Sequence, residues 1–196
     1  MKEIIAKIIS DVLTALYQPF NFALILAILF MFLYLFAREH GWRCVFYQWW
    51  TAFRKDSEFR RLFLFVFYTV MILFRTLLNR NMWANPLSNV IGIWGIYNEK
   101  GEVTAEAIEN LILFIPFIVL LLWTFRESVI GGEERLGKML WQSAKITFLF
   151  SLSIEFLQLF LRLGTFQLSD LFYNTLGGLI GGLFYGICYK IKHRRG

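Results

Sequence analysis

The sequence predicts an all-α fold, a polytopic integral membrane bundle of about five transmembrane helices with its N-terminus outside and its C-terminus inside. Three observations carry this prediction. Apolar residues make up 58% of the 196, aromatic residues 19% and charged residues only 17%, well away from the soluble globular average. Several stretches approach the roughly 20 mostly apolar residues that a spanning helix needs. Basic residues gather in alternate loops, as they do on the cytoplasmic side of membrane proteins. The formal charge of +6 therefore comes from short loops and not from one solvated face, so nucleic acid is not an expected partner.

The chain reads as one membrane domain, 1–196. In the first sixteen residues, Ile4, Ile5, Ile8, Ile9, Val12, Leu13 and Leu16 share a helical stripe from which Lys2, Lys7 and Asp11 are excluded, the pattern of an interfacial helix. The charges of this segment interrupt what would be the apolar region of a signal peptide, so no cleavage is expected. The first span is 20–37, after Pro19. A loop with Arg38, Arg43, Arg54, Lys55, Arg60 and Arg61 follows, and its Trp42, Phe46, Tyr47, Trp49, Trp50 and Phe53 suit a segment lying in the headgroup layer.

The second span is 62–78 and the third 107–125, with Pro116 inside it, which a membrane helix tolerates. Between them runs the longest loop, with a turn expected at Asn98-Glu99-Lys100-Gly101 and only Arg80 and Lys100 as basic residues. The fourth span, 146–161, follows a loop containing Arg126, Arg135, Lys138 and Lys145. The fifth, 171–189, leads into Lys190, Lys192, Arg194 and Arg195. These clusters set the N-out, C-in orientation. Cys44 and Cys188 then both lie on the reducing side, and no disulfide is expected.

Ionisable groups inside a span cost roughly 2.5 to 3.5 kcal/mol each at mid-helix, so their positions are informative. Here they converge on the outer ends of four helices. Arg75 and Asn79 close the second span, Glu109 and Asn110 open the third, Glu155, Gln158 and Arg162 recur along the end of the fourth, and Asp170 and Asn174 open the fifth. Each has a structural reading beside a functional one. The arginines could snorkel to headgroups, Ser169 or Asp170 could cap the fifth helix, and the amides could join helices by hydrogen bonds. Glu155 lies deepest, where a carboxylate must be paired, protonated or wet.

No cofactor and no metal site is expected. His40 and His193 fall on the cytoplasmic side, and two carboxylates alone are a weak cation signal. The run Gly177-Gly178-Leu179-Ile180-Gly181-Gly182, with Gly186 a turn later, has no nucleotide-loop context. Its spacing serves close helix packing, within the chain or, through Gly177, Gly181, Gly182 and Gly186, against a second copy.

Three blocks carry a family resemblance: Glu109-Asn110-Leu111-Ile112-Leu113-Phe114-Ile115-Pro116-Phe117, Ser151-Leu152-Ser153-Ile154-Glu155-Phe156-Leu157-Gln158 and Asp170-Leu171-Phe172-Tyr173-Asn174-Thr175-Leu176-Gly177-Gly178. In this order they resemble the VanZ-like family over about residues 75–187, with Arg75 and Asn85-Pro86 as weaker echoes. Ile118 stands where many members have Gly, and Gln167 where an acidic residue often precedes the counterpart of Asp170. The resemblance implies a multi-pass protein of the bacterial cytoplasmic membrane, and for the founding member reduced susceptibility to teicoplanin.

Two functions from different classes follow. In the first, a non-enzymatic module binds or shields a lipoglycopeptide or a lipid-linked cell-wall precursor at the outer leaflet, through Arg75, Asn79, Asn110, Glu155, Gln158, Arg162, Asp170 and Asn174. In the second, an intramembrane enzyme acts on a lipid-linked wall substrate with Glu155 or Asp170 as acid or base. A small transporter or complex subunit ranks third, because the spans show no paired repeat.

Overall fold

The computed structural model describes residues 20–78, 83–95, 104–131 and 135–194. The expected interfacial helix, Asn79, Arg80, the turn at Asn98 to Gly101 and Arg195 lie outside the described residues. Every regular element among the described residues is helical: α1 (Phe20–His40), α2 (Trp42–Lys55), α3 (Ser57–Leu73) with a π-helical segment Phe74–Leu78 continuing it, α4 (Glu106–Ile130), α5 (Leu136–Leu161) and α6 (Leu168–Arg194). Three of these, α4, α5 and α6, are long and apolar enough to cross a membrane.

Local chemistry sets the ends. Asp56 separates α2 from α3, and its Oδ1 accepts the Glu58 N–H at 2.8 Å, an N-cap. Glu106 and Glu109 sit in the first turn of α4, favourable against the helix dipole. Gly131 ends α4 in the left-handed region, with φ 67. At the end of α5, Arg162 is the one non-glycine among the described residues with positive φ (55), and the Leu163 N–H reaches back to the Gln158 carbonyl at 2.9 Å. That is the closed-off geometry of a helix that turns back at once.

The helices differ from the expected spans mainly in length. α5 begins at Leu136 and not at residue 146, so Lys138 and Lys145 are carried on the helix. A hydropathy reading stops at such charges, whereas the helix continues because Lys145 is exposed while Ser143 and Thr147 turn inward and are fully buried. α6 likewise starts three residues early, placing Ser169 and Asp170 inside its first turn and not at its cap. The aromatic-rich loop is the helix α2, none of whose residues is buried.

α6 is the axis of the bundle, packed mainly against α4 and next against α5, while α3 leans on α4. The glycines make this possible. A Cβ on Gly177 would lie 2.1 Å from the Leu111 carbonyl oxygen, and one on Gly181 2.6 Å from that of Ile115, so α4 and α6 meet backbone to backbone. Gly178 and Gly182 face Thr147 and Ser143 of α5, and Gly186 faces Leu136. The glycine face that the sequence left available to a second copy is thus filled by α4 and α5 of the same chain. Between α3, α4 and α5 the core holds Ile72, Phe114, Phe117, Ile118, Leu122 and Ile154, with Phe117 stacked on Phe150 at 4.8 Å between centroids.

Gly177→Ala should therefore force α4 and α6 apart and cost about 1–3 kcal/mol. Gly137→Ala, where a Cβ would meet nothing within 4 Å, should be neutral or stabilising by up to about 1 kcal/mol. Thermal unfolding of the two variants in detergent measures the contrast.

Candidate functional site

The antiparallel order brings the end of α3, the start of α4, the end of α5 and the start of α6 together, and with them most of the polar residues singled out by sequence. α5 presents an inward stripe at helical spacing, Ser143, Thr147, Ser151, Glu155 and Gln158, every member of which is buried. Its first three members face α6, while Glu155 reaches the turn between α5 and α6 and Gln158 reaches the π-helical segment.

Glu155, 2% exposed, accepts the backbone N–H of Gln167 on Oε2 at 2.9 Å. Gln167, itself buried, donates from its amide to Thr165 Oγ1 at 2.8 Å. Gln158 donates to the Thr76 carbonyl at 2.7 Å. Thr76 lies in the π-helical segment, where the ordinary helical ladder is interrupted, so Gln158 supplies a partner for backbone in an irregular turn. Asn174 donates from Nδ2 to Ser151 Oγ at 2.8 Å, tying α6 to α5. Asp170 is 6% exposed in the first turn of α6.

Two polar atoms in this layer are buried with no hydrogen-bond partner among the described residues: Asn174 Oδ1 and Asn110 Nδ2, an acceptor on α6 and a donor on α4. Thr147 Oγ1 is a third such atom, one turn below Ser151. Buried polar atoms are normally satisfied, so the two amides mark where a polar group of a ligand or water would gain most.

The arginines sit at the rim. Arg75 donates to Glu109, and with side chains 52% and 50% exposed this pair orients groups more than it stabilises the fold. Arg162 is exposed, and its backbone is the part in use, its carbonyl accepting the Trp83 N–H at 2.9 Å.

That bond opens a strap. Residues 83–95 lie along the turn between α5 and α6, with the Phe166 N–H on the Pro86 carbonyl at 2.9 Å, Leu168 on Val90 at 2.8 Å and Ser169 on Ile91 at 3.3 Å. Gly92 (φ 75) permits the approach, since a Cβ there would lie 1.9 Å from Ser169 Oγ. Trp94 then rests against Phe172 and Tyr173 of α6 at 5.2 and 6.1 Å. Sequence reasoning missed the strap, Gln167, Thr76 and the Ser143-Thr147-Ser151 stripe. Four-residue spacing from Glu155 back to Ser143 was the available signal for the stripe, whereas the strap is held by backbone groups that leave no side-chain signature.

A family model described as VanZ/LLP1 matches residues 22–189, starting well ahead of residue 75, where the sequence motifs began. The chain is also similar to Protein VanZ of Enterococcus faecium, with 34% identity over 90 residues, 46% of this chain and 50% of that protein. The chain thus spans about half the length of this curated relative. No solved structure matches it.

Replacing Glu155 by Leu removes the acceptor of the Gln167 N–H and leaves a buried donor unmet, at about 1–3 kcal/mol. In hydrogen exchange, the amides of Gln167, Phe166 and Leu168 should lose roughly 5- to 150-fold protection, while amides at the middle of α4 keep theirs.

Proposed function

The chain belongs to the VanZ/LLP1 family, and from that premise we propose that it is a five-span, N-out/C-in protein of the bacterial cytoplasmic membrane whose buried polar layer binds or shields an amphiphile at the outer leaflet. A lipoglycopeptide or a lipid-linked cell-wall precursor fits this description, and lowered teicoplanin susceptibility is the cellular outcome. The carrying observation is the convergence of α3, α4, α5 and α6 on one layer of buried polar groups beneath the strap. In support of the orientation, the opposite ends of these helices carry Arg61, Arg126, Lys138 and Lys192. In support of α1 and α3 as additional spans, Leu29, Phe32 and Leu35 of α1 and Val66, Phe67 and Val70 of α3 are exposed apolar side chains that lipid would cover.

The roles divide by depth. Arg75 and Arg162, at the rim, meet the phosphate or carboxylate of the amphiphile. Asn110 Nδ2 and Asn174 Oδ1 provide a donor and an acceptor with no hydrogen-bond partner among the described residues. Glu155 and Gln158 hold the loop and the π-helical turn that shape the layer. Asp170 flanks the strap and meets an amine. Trp83 and Trp94, both about half exposed, cover the entrance with amphipathic rings.

A second reading, an intramembrane enzyme using Glu155 or Asp170 on a lipid-linked wall substrate, is favoured by one observation: both carboxylates are buried beside the same strap. The two readings part on products, since shielding leaves drug and precursor chemically unchanged.

Cells expressing the wild type at matched membrane levels should bind less fluorescent teicoplanin than vector cells and equal amounts of fluorescent vancomycin. Arg75→Ala and Asp170→Asn should each restore teicoplanin binding, since losing one hydrogen bond to a charged group costs about 1.5–3 kcal/mol, roughly tenfold or more in affinity. An unchanged signal in every strain rejects the teicoplanin role, and a modified drug or precursor by mass spectrometry transfers the case to the enzyme.

A further inference from the structure

At the end of the bundle opposite the polar layer, α3, α4 and α6 line an open cavity of about 510 Å³, within the size range of small-ligand sites. It exists because α4 breaks there. Phe125 leaves helical geometry (φ −123, ψ 27), and the Arg61 guanidinium of α3 donates to the Trp123 carbonyl at 3.2 Å, just before the kink. Three cations line the cavity, Arg61, Arg126 and Lys192. The Arg126 guanidinium lies over the Tyr189 ring, its carbon 3.8 Å from the centroid, a cation–π contact that holds it against the wall.

The walls also hold two carboxylates, Glu58 and Glu127. Glu58 pairs with Arg61 at 3.7 Å, and Arg126, Lys192 and Glu127 complete the charged lining. Trp123, Tyr185 and Tyr189 supply amphipathic aromatic sides, the residue types that favour headgroup depth. The cavity sits at the ends of α4 and α6, two helices long and apolar enough to cross a membrane, and basic pockets between such helices take lipid headgroups.

From this geometry we infer that the cavity is a second binding site, for the phosphate of an anionic phospholipid headgroup, seated between Arg126 and Lys192 with its glycerol backbone against Trp123 and Tyr185. The site is independent of the outer polar layer, and only its assignment to the inner leaflet depends on the proposed orientation. Free inorganic phosphate shares the recognition chemistry but lacks the glycerol and acyl parts that the aromatic wall would contact.

The test is native mass spectrometry of the full chain released from detergent containing equal amounts of dioleoylphosphatidylglycerol and dioleoylphosphatidylcholine. Both lipids offer a phosphate, but the quaternary ammonium of choline would bring a positive charge beside Arg126 and Lys192 where glycerol brings none, so the wild type should retain phosphatidylglycerol over phosphatidylcholine about tenfold. Lys192→Gln, on an exposed helix end, and Arg126→Gln should each reduce that preference toward unity, and Lys145→Gln, an exposed cation in the middle of α5, should keep it. Millimolar inorganic phosphate should leave the lipid bound. Equal retention of the two lipids by the wild type, an undiminished preference in Lys192→Gln, or loss of the lipid to inorganic phosphate overturns the proposal.

Discussion

Burying the Glu155 carboxylate is the constraint from which the strap end of this bundle is built. A carboxylate that is 2% exposed among apolar helices is tenable only when its oxygens meet donors. The chain supplies one from the backbone of Gln167, and to do so it must double back directly after α5. The left-handed Arg162, the Leu163 N–H closing on Gln158 and the start of α6 at Leu168 are what that reversal looks like in the backbone. Once the turn lies across the helix ends, its outward N–H groups at Phe166, Leu168 and Ser169 need acceptors, and the strap provides them. One buried acid thereby organises two loops and the entry to α6.

The lower bundle answers a different requirement. In lipid there is little hydrophobic gain from pressing one apolar helix against another, so close contact and hydrogen bonds must hold the assembly. α6 meets this with two glycine rows displaced by one residue. Gly177 and Gly181 admit the backbone of α4, while Gly178 and Gly182 admit the hydroxyl-bearing stripe of α5. The same stripe continues upward into Ser151, Glu155 and Gln158, so the seam that packs the bundle is also the wall of the candidate site.

Much of this was legible beforehand. The helical class and the gathering of Arg75, Asn110, Glu155, Gln158, Asp170 and Asn174 at one end follow from apolar run lengths and the placement of polar residues, and the family resemblance from the three blocks beginning at Glu109, Ser151 and Asp170. Hydropathy stops the fourth span short of the true start of α5 because Lys138 and Lys145 look like loop residues until the exposed face that carries them is known. The glycine run announced close packing without naming its partner, since small-residue spacing is the same toward a neighbouring helix or a second copy. The pairing of residues 83–95 with the α5–α6 turn is carried by main-chain groups, for which only Gly92 offered a hint. Gln167, noticed as a departure from the family pattern, contributes its peptide N–H to Glu155, a role open to any residue except proline.

The two ends of the bundle are chemically opposed. Beneath the strap lie buried acids and amides, and at the other end cations surround a kinked helix. The central claim is that the first of these ends faces the cell exterior, and thiol accessibility tests it most directly. In intact cells, a membrane-impermeant maleimide should label Ser88→Cys, an exposed strap position, in a background with Cys44 and Cys188 replaced by Ser. The native Cys188, exposed at the cationic end, should label only after permeabilisation. Labelling of Cys188 in intact cells, with Ser88→Cys protected until the membrane is opened, would contradict the account.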